Sequence, residues 1–220
     1  MNKITKAGIL VLILVVPVFL FQYFKFFGKN HYKLPVFFAT DSVLNDQGKY
    51  VITEAHEVPD FSFKNQDGIT IKREDFKGKI VVVDFFFSRC PGICPQMTNQ
   101  LVRVQEKFKQ DSLFQILSFT VDPEYDSSSV LKSYALKYGA IPEKWHFLTG
   151  RKDSIYSLAQ KGFFITAMED KERPLDFIHS EKLVLVDREG RIRGYYNGTD
   201  SEEVDRLITE IQVLQYEYAN

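Results

Sequence analysis

Two cysteines and three methionines in 220 residues leave this chain with little sulfur of any kind. A structural zinc site wants four ligands, commonly thiolates, and no third cysteine exists to build one. An excess of charge of one sign is also missing: 28 basic side chains face 29 acidic ones, for a formal net charge of −1. Binding to nucleic acid rests on neutralising phosphates with Lys and Arg, so no nucleic-acid partner is expected. Internal repeats and low-complexity tracts are absent. What is present is 45% hydrophobic and 15% aromatic residues, enough for one well-buried domain plus an appendage.

The charge balance hides an asymmetry. Residues 1–33 carry five lysines (Lys3, Lys6, Lys25, Lys29, Lys33) and no acid, which leaves 23 basic against 29 acidic groups in the rest. Within that basic segment Ala7–Phe24, "AGILVLILVVPVFLFQYF", runs 18 residues without a charge. As a helix it spans roughly 27 Å, close to a bilayer's hydrocarbon core. Pro17 is tolerated in such a helix. A short lysine-bearing start also suits a cleaved signal peptide. The "FKFFGKN" that follows has no small-x-small cleavage pattern, and its aromatics and lysines form an interfacial belt. The expected layout is a short tail over 1–6, an uncleaved transmembrane anchor over 7–27, a connector over 28–57 and one folded domain over 58–220. Lysines flank both ends of the run, so charge does not orient it. No arginine-rich transit segment precedes it, which favours a bacterial inner membrane, crossed once, with the domain on the periplasmic side.

Beyond the anchor, "LPVFF", a turn at "NDQGK" and "YVITEAHEVPDFSF" read as hairpin-like pieces, and "NQDG" at Asn65–Gly68 as a further turn. From Ile80 strands and helices alternate. "IVVVDFFF" is a continuous apolar run, as a strand buried on both faces requires. Met97, Leu101, Val104 and Phe108 recur at helical spacing. "LFQILSFTV" is the next strand, "SSSVLKSYALKYG" a serine-capped helix ending in glycine, "WHFLTG" a short strand and "KDSIYSLAQKG" another helix. A charged insertion, "AMEDKERPLD", precedes two strands joined at "DREG", and an amphipathic helix closes the chain. The order β-α-β-α-β-α-β-β-α predicts an α/β fold with a central mixed sheet flanked by helices, the layout of a thioredoxin-like domain.

Cys90 and Cys94 stand four apart where the buried strand gives way to a helix. If the helix begins within that segment, both sulfurs share one face. Pro91 suits a first turn, and nearness to a helix N-terminus favours thiolate. Three readings are open. A structural disulfide closing so small a loop constrains the unfolded chain little. A redox pair of thioredoxin type has two intervening residues, and here there are three. A soft metal ion, Cu(I) above all, suits two thiolates that need one more nitrogen. Four histidines could supply it: His31 beside the anchor, His56 in the connector, His146 in "WHFLTG" and His179 at a loop-to-strand boundary. In a thioredoxin-like layout that last boundary lies beside the cysteine helix.

Taken together, "FFFSRCPGICPQMTNQL", "SFTVDPEYDSSSVLKSYALKYG", "WHFLTG" and "HSEKLVLVDREGRIRGYY" resemble the Sco/SenC family, membrane-anchored copper-binding proteins that help assemble cytochrome c oxidase. The resemblance runs from about Val58 to the C-terminus. It implies copper, as Cu(I) or Cu(II), on Cys90, Cys94 and His179, with Cys90 and Cys94 also able to form a redox disulfide. The D-P-x-x-D motif falls on Asp122, Pro123 and Asp126. Asp122 is expected to support the metal site, and Asp126 reads either as a turn cap or as a second support. Where many relatives carry an acid directly before the histidine, this chain has Ile178. Implied partners are the copper-bearing subunit of the oxidase, another copper chaperone or a thiol reductant, and the membrane. A metallochaperone is the leading reading. An extracytoplasmic thiol–disulfide oxidoreductase and a redox or copper sensor are the alternatives. Thioredoxin-like reductants carry a cis-proline before the strand facing the cysteines, and no proline lies between Leu175 and Asp187.

Overall fold

A computed structural model describes residues 2–27, 33–45, 50–165, 168–169, 177–178 and 180–219. They form two compact units, Met1–Lys33 and Leu34–Asn220. The first is one helix, α1 (Lys3–Phe27), with Pro17 inside it. Its stretch Ile4–Tyr23 is long and apolar enough, by length and composition, to cross a membrane.

The second unit opens with two antiparallel strands, β1 (Ala39–Leu44) and β2 (Tyr50–Ala55), the pieces expected on either side of "NDQGK". A small hairpin follows, β3 (Ser62–Lys64) and β4 (Thr70–Lys72), turned by Asn65, whose side-chain oxygen accepts from the backbone N–H of Asp67 and Ile69. Gly68 (φ +76°) takes the left-handed position that closes this turn. One 3₁₀ turn, Arg73–Phe76, then leads into the sheet.

The sheet has five strands: β5 (Ile80–Phe86), β6 (Phe114–Thr120), β7 (Trp145–Leu148), β10 (Lys182–Val186) and β11 (Ile192–Asn197), in the order β11-β10-β5-β6-β7. β5, β6 and β7 are parallel, while β10 runs antiparallel to β5 and β11. The predicted mixed sheet is therefore present. Every residue of β5 and β6 is buried, because helices cover one face and Phe61, Phe63 and Phe163 pack on the other.

Contacts sort the two faces. Phe108 of α2 (Ile93–Phe108) packs on Phe114, Tyr134 of α3 (Ser128–Lys137) packs on Phe86, and Tyr196 bonds Glu210 of α5 (Ser201–Ala219). Even-numbered residues of β5 point to that face. On the opposite face Phe119 meets Phe61, Phe63 and Phe163. The helix expected at "KDSIYSLAQKG" is α4 (Lys152–Ser157) continued by one π turn, Leu158–Gly162, where Phe163 N–H reaches the Leu158 carbonyl. The charged insertion is flanked by a two-residue ladder, β8 (Met168–Glu169) with β9 (Phe177–Ile178).

Leu34 and Pro35 are held to the body by Arg193, which donates to both carbonyls at 2.7 and 2.9 Å, while Leu34 N–H donates to Glu217 at 2.7 Å. That tie explains why α5 runs beyond the periodic segment seen in the sequence, to Ala219.

Candidate metal centre

After β5 the chain makes a tight turn, with Cys90 N–H donating to the Phe87 carbonyl at 3.2 Å. Gly92 (φ −120°, ψ −97°) caps the helix, so α2 begins only at Ile93. Cys94 is thus in the first helical turn and Cys90 lies before it. The expectation that one helical face carries both sulfurs is corrected here: the turn at Gly92 brings them together instead. Pro91 is outside the helix, and Pro95 is in its first turn, where a missing N–H costs nothing.

Both cysteines are buried thiols with no disulfide between them, and they are in hydrogen-bond contact. That bond to Cys90, and after it burial, pushes the Cys94 thiol far up, with the Phe87 backbone pulling weakly the other way. The helix N-terminus therefore does not make Cys94 a resting thiolate. Two soft sulfurs side by side fit a soft metal, whose binding would displace the thiol protons.

Beneath the pair lies an acid that the sequence reading passed over. Asp84, in the middle of β5, is fully buried on the helix-covered face and accepts from the Ser118 hydroxyl, which in turn accepts from Trp145 Nε1 at 2.8 Å. Burial pushes its carboxyl up to about 7, and its charge adds to the upward push on Cys94. The signal was a lone acid inside "VVVDFFF", where nothing apolar needs one. Thr98 donates to the Cys94 carbonyl at 2.8 Å and touches the Tyr134 hydroxyl at 2.8 Å, fixing the first helical turn from behind.

The D-P-x-x-D loop clamps the residues just before Cys90. Asp126 is fully buried and accepts from Ser88 N–H at 3.0 Å, from the Ser88 hydroxyl and from Thr120 Oγ1. Burial raises its carboxyl above the usual range, and the Ser88 and Thr120 bonds oppose that. Asp122 accepts from Nε of Arg89 at 2.8 Å and pairs with its NH2 at 2.8 Å, while Tyr125 lies under the guanidinium at 4.6 Å. Asp126 is therefore no mere turn cap, and Asp122 holds Arg89, beside Cys90.

The histidines divide differently. His56 bonds the Gly162 carbonyl at 2.9 Å and packs against Phe164. His146, on β7, lies edge-on to Phe76, and burial lowers its pKa. It pairs with Leu117 across the sheet and so points to the face away from Asp84 and Ser118. His31 and His179 lie outside the described residues, and His179 follows β9 directly in the sequence. Among the described residues no set of three His, Cys, Asp or Glu side chains is grouped to hold a metal.

A five-stranded mixed sheet with two thiols where its central strand meets a helix defines a thioredoxin-like domain. The chain belongs to the SCO1/SenC family, whose model matches residues 51–214. It is 35% identical to the SCO1 protein homolog of Bacillus subtilis over 159 residues, 71% of this chain and 82% of that one. The structure of BsSco, described as a Sco-family cytochrome c oxidase assembly protein with a disulfide switch, matches with a TM-score of 0.64. It is 35% identical, and the match covers 72% of this chain and 93% of that one. Copper-bound ScoI of Arabidopsis thaliana matches at 0.59, with 25% identity over 70% of this chain and 97% of that one.

Proposed function

We propose that this protein is a membrane-anchored copper metallochaperone. Copper is its cargo, held by the thiolates of Cys90 and Cys94 with an imidazole nitrogen of His179, and delivered to the copper-bearing subunit of cytochrome c oxidase. The observation that carries this reading is the pair of buried thiols in mutual contact, clamped through Ser88 and Arg89 by Asp126 and Asp122. Family membership and the copper-bound relative support the choice of metal. In the proposed topology α1 crosses a bacterial inner membrane once and the thioredoxin-like domain stands on the periplasmic side.

The chain's own part in the chemistry is to keep two thiols paired, exclude water from Cys94 and hold the preceding turn rigid. Copper loading displaces the thiol protons, so it releases acid. A second reading is favoured by the contact between the sulfurs. Cys90 and Cys94 can close a disulfide while a partner's disulfide is opened to two thiols, two electrons and two protons passing to the partner. This would prepare the oxidase cysteines for metal.

The test uses the full chain in detergent micelles. Reduced protein should take up one equivalent of Cu(I), and Cys90→Ser or Cys94→Ser should abolish uptake. His179→Ala should weaken it sharply without changing the melting temperature. Normal copper binding by His179→Ala, together with brisk reduction of insulin disulfides, would replace the chaperone by the reductant.

A further inference from the structure

On the sheet face away from the thiols lies a cleft of about 620 Å³ that the copper reading leaves unused. Its floor is the buried apolar sheet at Val81, Val83, Leu117 and Val186, and half-buried Phe61 and Tyr218 wall it. Its rim is charged, and the charges are not evenly matched. Glu57 is taken by Arg73 at 2.9 Å, and Glu189 by Arg191 at 2.8 Å. Asp187 is taken by Arg191 and Arg193. Lys77 and Arg188, also on the rim, have no carboxylate partner among the described residues; the Arg188 guanidinium lies over the Tyr218 ring at 4.6 Å.

Unsatisfied donors point the same way. Among the described residues four buried side-chain polar atoms lack a hydrogen-bond partner, and two of them, Nε of Arg73 and Nε of Arg188, belong to residues lining this cleft. A buried donor without an acceptor destabilises the fold, so such sites are where an acceptor ligand is expected. Arg73 is not free to turn away, since its NH2 donates to Glu57 and to the Glu189 carbonyl and its guanidinium packs on Gly190, where a Cβ would collide with it.

We propose that this cleft binds an amphiphile with an anionic head, its hydrocarbon lying between Phe61 and Tyr218 and its head accepting from Arg73 and Arg188 beside Lys77. The cleft's volume and its apolar lining with a few convergent polar groups are those of a small-molecule site. Arginine forks favour carboxylate or phosphate oxygens, so a free long-chain carboxylate and an anionic phospholipid share the required chemistry. Residues 28–33 alone separate α1 from Leu34 in the sequence, so membrane lipid is one source to test.

The experiment uses the full chain in phosphatidylcholine nanodiscs, with either photoreactive palmitate or photoreactive phosphatidylglycerol as probe, and maps cross-links in the domain by mass spectrometry. Labels should concentrate in the peptides containing Lys77–Val83 and Val186–Gly190. In the Lys77→Glu, Arg188→Glu double variant they should fall about tenfold or more, through the loss of the Arg188 bond and the repulsion of the anionic head by two new carboxylates. Labelling by palmitate upholds a single-chain carboxylate, and labelling by phosphatidylglycerol alone upholds membrane lipid. Labels scattered over the domain, or undiminished in a double variant that melts normally, overturn the site. Should charge reversal unfold the protein, Lys77→Gln with Arg188→Gln gives the same comparison.

Discussion

Asp84 and Asp187 are both buried on the central sheet, and they are held in opposite ways. Asp187 stands just past the end of β10, saturated by cations and backbone. One oxygen accepts from Arg191 Nε at 2.9 Å and Arg193 NH1 at 3.0 Å, the other from the N–H of Glu189 and Arg191. Asp84 sits in mid-strand near the thiols with a serine hydroxyl as its side-chain partner and, among the described residues, no cation. An acid buried among arginines ties segments together: here, through Arg193, the chain's entry at Leu34, β11 and the end of α5. An acid buried among neutral groups gives up its charge to burial and is left able to change protonation near physiological pH. The end of the sheet that carries the thiols is thus also the end where charge is not locked.

Breaking the locked end should have the largest effect. Arg193→Ala leaves Asp187 half-paired, takes the guanidinium from Glu217 and frees the Leu34 and Pro35 carbonyls. Removing one partner of a buried ion pair costs about 3–5 kcal/mol, read as a shift of the urea midpoint at constant slope. A cost under about 1 kcal/mol, the value of an exposed pair, would erase the contrast between the two acids.

Removing the charge from the unlocked end should act in the other direction, and only above acid pH. Burial raises the folded-state pKa of Asp84 to about 7, so the native state holds the proton more tightly than the unfolded chain does. Its contribution is full below the unfolded value near 4 and is lost as pH rises from about 4 through about 7. Asp84→Asn should therefore flatten that slope and exceed the parent's stability at pH 8 by about 2–4 kcal/mol. Urea titrations from pH 4 to 8 check this, and a slope that survives the substitution assigns it elsewhere.

The sequence already carried much of this architecture. The all-apolar run of β5, the helical spacing of α2 and the alternation after Ile80 each report a local pattern that tertiary packing then reinforces. Three-residue strands such as β3 and β4 are too short to show any period, so only their turn at Asn65–Gly68 was visible. The cysteine pair was legible because nothing else in the chain has its chemistry. Asp84 was legible only as an oddity, for its meaning depends on Ser118 and Trp145 from two other strands. The clamp on Ser88 joins residues 38 apart, and the cleft joins arginines from opposite ends of the domain; neither leaves a mark on either segment alone.

A pair of neighbouring substitutions sharpens the contrast at the thiol end. Asp126→Asn weakens the acceptor that holds Ser88 and Thr120, and disturbing such a buried, multiply bonded group costs about 1–3 kcal/mol. Because Ser88 is two residues before Cys90, the same variant should also weaken Cu(I) binding.

The smallest effect belongs to the next residue along. Ser127 accepts from Val130 N–H at 3.4 Å and caps α3, and its hydroxyl also meets Ser129, away from the side chains that hold the cysteine turn. Ser127→Ala should cost about 1 kcal/mol of stability, the usual value of an N-cap hydroxyl, and leave Cu(I) affinity unchanged. Measured side by side, the two variants separate loss of stability from loss of positioning, since adjacent residues of one loop would lower stability together while only Asp126 moves the metal site. Equal losses of copper affinity from both would mean that the loop acts on the thiols merely by staying folded, and that the bonds from Asp126 to Ser88 have no role of their own.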